Sequence, residues 1–196
     1  MKKRTAFIGA ILSLIPLGQP LIIKTGVVLS TTGFLLSVSE KVNAETSDFY
    51  FDSAFEKANQ GDHYGAISDY NKSIKLNQLS KNDLAAAYYN RGREKSFIKD
   101  YEGALSDFNK AININPNRAD YYVFRGNTIG RLYNDEYGAI SDYTKAIEID
   151  PNNRIAFKNR GISKENIGDL QGACSDWEQA SFLGDKDSFN WKIDQC

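Results

Sequence analysis

The six letters GAISDY at residues 65–70 return as GALSDF at 103–108, GAISDY at 138–143 and GACSDW at 172–177. Ala66, Ala104, Ala139 and Ala173 therefore stand 38, 35 and 34 residues apart. Self-similarity at such a period marks stacked repeats, each burying its apolar face only against its neighbours. A chain of that kind presents a long surface to a partner rather than an enclosed catalytic pocket.

Ala85–Arg118 is the clearest unit. Its first half, AAAYYNRGREKSFI, is rich in good helix formers with apolar residues at helical spacing. Lys99-Asp100-Tyr101 makes a turn. The second half puts Ala104, Phe108, Ala111 and Ile112 on one face, at i, i+4, i+7 and i+8. Asn115-Pro116-Asn117 ends it, because proline cannot continue a helix. Each unit thus reads as a helix–turn–helix, and the chain as all-α. Gly92, Gly126 and Gly161 sit midway along the first helices, with Ala54 in the matching place. Glycine inside a helix costs about 1 kcal/mol relative to alanine, which close helix packing would offset. The Gly-Ala alanines and Ala111, Ala146 and Ala180 (Ser73 in the first copy) read as the facing small residues. Tyr70, Phe108, Tyr143 and Trp177 fill the space between.

These units resemble tetratricopeptide repeats. The residues that carry the likeness are Tyr88, Gly92, Tyr101, Ala104, Phe108, Ala111 and Pro116, then Tyr122, Gly126, Ala139, Tyr143, Ala146 and Pro151. Phe157, Gly161, Ala173, Trp177 and Ala180 follow, with Tyr50, Ala54, Ala66 and Tyr70 as a weaker first copy. Four repeats are expected over 47–184, bounded 47–83, 84–118, 119–153 and 154–184. The first repeat departs from the pattern by lacking its closing proline and by a short insertion, Leu79 to Asp83; the third has one extra residue near Tyr133-Asn134-Asp135. The resemblance implies a right-handed α-solenoid whose first helices line a concave groove for a peptide or partner segment. By helical phase the outward face of those helices includes Phe51, Phe55, Tyr89, Arg93, Val123, Asn127, Lys158 and Ile162. Their mixed aromatic, basic and amide character suits an extended segment with some acidic content. The family's clamp for a C-terminal carboxylate is not found in matching places.

Asp69, Asp107, Asp142 and Asp176 recur in all four second helices, whereas Arg91, Arg125 and Arg160 precede the glycine in only three first helices, with Ser53 in the other. Pairing each arginine back to the preceding repeat leaves no early aspartate alone, so Arg91–Asp69, Arg125–Asp107 and Arg160–Asp142 are expected as inter-repeat ion pairs that set register.

Residues 185–196 read as a capping helix, with Phe189, Ile193 and Cys196 on one face. The only cysteines, Cys174 and Cys196, lie at similar distances either side of a turn near Gly184-Asp185, which brings them level on antiparallel helices. A disulfide is expected; two buried free thiols are the alternative.

Residues 1–44 differ from the rest. Lys2, Lys3 and Arg4 precede an apolar stretch broken by Pro16 and Pro20, a second apolar stretch, and Val42-Asn43-Ala44, small residues of the kind found at a cleavage site. This reads as an export signal, placing the repeats in a periplasm or lumen. Retention of residues 5–39 as a membrane anchor is the alternative. The segment holds five of the 24 Lys/Arg and one of the 25 Asp/Glu, so the remainder carries 19 basic and 24 acidic side chains, a net of −5. That balance argues against nucleic-acid binding.

Little speaks for chemistry. His63, the sole histidine, falls in a turn with no nucleophile nearby and reads as solvated. No phosphate loop, zinc-protease or calcium-loop motif occurs, and there is no CxxC. The expectation is a noncatalytic interaction scaffold without metal or cofactor. The alternatives are a membrane-tethered assembly factor and, more remotely, a small-ligand binder or enzyme.

Overall fold

A computed structural model describes residues 46–196; the signal-or-anchor reading of residues 1–44 lies outside them. Among the described residues nine helices follow in order: α1 (Ser47–Asn59), α2 (His63–Leu76), α3 (Lys81–Phe97), α4 (Tyr101–Ile114), α5 (Ala119–Tyr133), α6 (Glu136–Ile149), α7 (Arg154–Asn166), α8 (Leu170–Phe182) and α9 (Lys186–Gln195). None of these is long and apolar enough to cross a membrane.

The turns inside repeats share one design. Gly61, Lys99, Asn134 and Gly168 take positive φ, between 51° and 85°, and each is followed by aspartate; Gly184, in the turn before α9, repeats the pattern at 91°. Asp62, Asp100, Asp135 and Asp169 then cap α2, α4, α6 and α8 by accepting the backbone N–H of Gly65, Gly103, Gly138 and Gly172 at 2.9–3.0 Å. The glycine of each Gly-Ala pair therefore does not report helix–helix packing. It lies under the capping carboxylate, which an added Cβ would strike.

The insertion at 79–83 also has a structural role. Ser80 accepts the Asp83 N–H at 3.2 Å and starts α3 at Lys81, so the expected repeat boundary at 83/84 cuts through a helix.

Helices pack in sequence, α1 on α2, α2 on α3 and onward to α9. The odd-numbered helices α1, α3, α5 and α7 also touch one another in series. No comparable series joins the even-numbered ones. The odd helices thus occupy the inner radius and the even ones the outer. Ala66, Ala104, Ala139 and Ala173 are wholly buried, as are Tyr70 and Phe108, while Tyr143 and Trp177 are nearly so. The Phe108 and Tyr143 rings lie against Gly92 and Gly126, where a Cβ would come within 2.8 and 2.9 Å; Trp177 crowds Gly161 still closer. In the first repeat Ser73 is buried and donates its hydroxyl to the Ser47 carbonyl at 2.7 Å.

The ion pairs differ from the inter-repeat scheme. Each arginine forks onto the aspartate of its own repeat: Arg91 on Asp107 (2.8 and 2.6 Å), Arg125 on Asp142 (2.8 and 2.7 Å), Arg160 on Asp176 (2.9 and 2.7 Å). The expected Arg91–Asp69, Arg125–Asp107 and Arg160–Asp142 pairs are not formed. Asp69 is satisfied without arginine, because Ser53 donates at 2.8 Å and Lys57 and Lys72 reach it at 2.5 and 2.9 Å. A link to the preceding repeat does exist through the third guanidinium nitrogen. Arg91, Arg125 and Arg160 donate from Nη1 to Asn71, Asn109 and Thr144, each two residues after an aspartate of the column.

At the C-terminal end Cys174 and Cys196 form a disulfide. Helix α9 turns Ser188 and Trp191 toward the stack, the latter against Trp177 at 5.5 Å between rings. Phe189 and Ile193, expected to dock, are 53% and 65% exposed. The rotation is set by the disulfide and by Lys158, whose Nζ meets Asp187 at 2.6 Å and Asp185 at 3.6 Å.

Candidate partner-binding groove

The inner helices bring the eight expected groove residues together in part. Phe55, Arg93, Asn127 and Ile162 each follow the small residue (Ala54, Gly92, Gly126, Gly161) and border open hollows between successive inner helices. Phe51, Tyr89, Val123 and Lys158 lie one turn earlier and are engaged elsewhere. Phe51 packs edge-on against Tyr70 at 5.6 Å. Tyr89 is wedged among Tyr121, Phe124 and Phe108 at 4.9–6.1 Å. Val123 is buried in the core, and Lys158 is held by α9. The physical reason is direction: helical side chains lean toward the N-terminus and cover the turn before their own Cα. The earlier row therefore leans into the seam, and the open surface belongs to the row after the glycine.

The same lean brings a second row of residues, not evident from helical phase alone, to the hollows. Asn59, Phe97, Arg131 and Asn166 sit four residues beyond the lining row and border the same hollows. The i+4 rule was the signal that could have found them.

Three hollows follow one another. The first, about 290 Å³ between α1 and α3, includes Phe55, Asn59, His63, Arg93 and Glu94. His63 is not simply solvated: it opens α2, stacks on Phe97 at 4.8 Å, and places Nδ1 2.7 Å from the buried Glu94 carboxylate. The second, about 190 Å³ between α3 and α5, is bordered by Arg93, Phe97, Phe124 and Arg131. The third, about 290 Å³ between α5 and α7, includes Asn127, Arg131, Ile162 and Asn166. Its floor is a hydrogen-bonded set in which Asn127 Oδ1 accepts from Tyr143 Oη (2.7 Å) and Asn159 Nδ2 (2.9 Å).

The electrostatics follow from burial. Desolvation pushes the Tyr70 and Tyr89 phenols up to about 12, so both stay neutral. Burial alone would raise Asp69, but donors from Lys57, Lys72 and Ser53 outweigh it and hold the carboxyl at about 2. No group of three or more His, Cys, Asp or Glu among the described residues is placed to hold a metal ion.

A tetratricopeptide repeat model matches residues 85–118. No curated protein matches the chain. Among solved structures, the crystal structure of MamA superposes with a TM-score of 0.65 at 22% identity, covering 78% of this chain and 85% of that one. The OM64 tetratricopeptide domain from Arabidopsis gives 0.56 at 24% identity, over 59% of this chain and 97% of its own. The first tetratricopeptide domain of Spaghetti (RPAP3), solved with the HSP90 peptide SRMEEVD, gives 0.55 at 19% identity, over 58% and 90%. These likenesses establish the fold.

Proposed function

We propose that this tetratricopeptide-repeat protein is a noncatalytic scaffold that binds an extended segment of another protein along the inner faces of α1, α3, α5 and α7. The observation that carries the reading is the row Phe55, Arg93, Asn127 and Ile162, one residue per repeat, at the edges of three consecutive hollows. Its members differ from repeat to repeat while the packing residues beside them agree. A surface of this kind reads a sequence side chain by side chain. The peptide seated on the RPAP3 domain is consistent with that use of the fold.

The test is affinity capture from native extract with the wild-type chain and with the Phe55→Asp and Ile162→Asp variants. A specific partner should be recovered by the wild type and lost about tenfold or more in each variant, as for a central apolar anchor. Equal recovery by all three would place binding elsewhere.

We further propose that the protein is exported. The basic–apolar–small order of residues 1–44 and the Cys174–Cys196 disulfide support this. Sequencing the N-terminus of the mature protein should find Glu45 first. An intact N-terminus in membranes that survive an alkaline wash would instead favour a tethered form.

A further inference from the structure

The second hollow carries a charge that the chain leaves unanswered. Arg91, Arg125 and Arg160 each have a carboxylate partner, and Glu94 beside Arg93 is taken by His63. Among the described residues, neither Arg93 nor Arg131 forms an ion pair, and no Asp or Glu lines the hollow they share. The Arg93 guanidinium lies 5.8 Å from the Tyr89 ring centroid and 5.4 Å from that of Phe124. Its Nε and the Oγ of Ser96, on the same hollow, are buried without a hydrogen-bond partner. Buried donors left unpaired are costly, and a ligand that satisfies them recovers that cost.

We propose that the hollow between α3 and α5 is a specificity subsite for one internal Asp or Glu side chain of the bound segment, with Arg93 and Arg131 as its basic residues and Phe97 beside them for an adjacent apolar residue. The proposal rests on the groove reading above and names the chemistry that the groove selects. The charge balance sets the ligand class. Two arginines within a domain of net charge −5 suit a single carboxylate on an otherwise uncharged stretch. A nucleic acid or anionic lipid surface would meet net repulsion. The placement is mid-groove, with a hollow on either side, which suits a passing chain rather than a chain end.

The test uses a displayed library of random 12-residue peptides selected on the full chain, with binders kept if Ile162→Asp weakens them. Wild type should enrich peptides with Asp or Glu at one internal position. Changing that Glu to Gln should weaken binding at least about tenfold on wild type, the range for a hydrogen bond to a charged group. The same change should cost less than about twofold on the Arg93→Gln/Arg131→Gln double variant. Thermal melts of the double variant and retention of the preference by Arg93→Lys separate loss of charge from loss of fold. Groove binders without acidic enrichment, or equal losses on both proteins, overturn the subsite and leave the groove reading intact. So does a preference abolished by amidating the peptide's C-terminus, which means chain-end recognition. Recovery of no Ile162-sensitive binder overturns both.

Discussion

Asp69, Asp107, Asp142 and Asp176 are the buried charges around which each repeat closes, and donor chemistry decides how. In the later repeats an arginine fork does the work, with Lys95 or Lys164 added at 2.8 Å in the second and fourth. In the first, Ser53, Lys57 and Lys72 replace the fork. Counting Arg against Asp along the sequence was blind to this, because it omitted serine and lysine donors; the column was legible, its pairing was not. Because the folded Asp69 pKa is depressed, its stabilisation is fully present above about pH 4 and is lost as pH falls toward 2. Urea unfolding should show wild type more stable than Asp69→Asn by about 2 kcal/mol at pH 6, with that gap shrinking by more than half at pH 2.5. A gap that does not change with pH would contradict the assignment. Lys99 is the one turn residue of its kind that is neither Gly nor Asn, at φ 65°. Lys99→Gly should raise stability by about 0.5–1 kcal/mol in the same assay.

At the scale of helices, two glycines of α5 separate packing from mere tolerance. A Cβ on Gly126 would stand 2.9 Å from Tyr143 Cε1 and 3.2 Å from the Ala139 carbonyl oxygen, which is backbone and cannot easily yield. On Gly130 its nearest neighbour is Ala139 Cβ at 3.8 Å, an ordinary contact. Gly126→Ala should therefore destabilise by about 1–3 kcal/mol despite its better helix propensity. Gly130→Ala should stabilise by up to about 1 kcal/mol. Thermal melts of the two variants should move in opposite directions. Helix existence and the small-residue column were readable from period alone. The Asp-x-x-Gly caps were equally present in the sequence, at 62/65, 100/103, 135/138 and 169/172. They are easy to pass over, because the glycine of each cap stands next to a packing alanine. Only half of the groove was placed, since helical phase gives a face but not the lean of side chains along it.

Across the whole array, stability is local because each repeat touches only its neighbours. The Cys174–Cys196 disulfide closes a short loop, with a separation of 22 residues, and fastens α9 to α8. The Cys174→Ser/Cys196→Ser variant should lose up to about 3 kcal/mol in the chain-entropy account. Hydrogen exchange should quicken in α8 and α9 and stay unchanged in α1–α4; a uniform rise along the chain would mean that the array melts as one unit. The period fixed the architecture at this scale because it recurs four times. The partner leaves no such trace, since each groove position occurs once.

Groove binding is tested most directly by photo-crosslinking in the source cells, with a benzophenone amino acid replacing Phe97 or Ile162 on the inner face, or Lys110 or Glu178 on outer helices. A discrete crosslinked protein is expected from positions 97 and 162 and none from 110 and 178. Crosslinks from the outer positions alone would contradict groove binding.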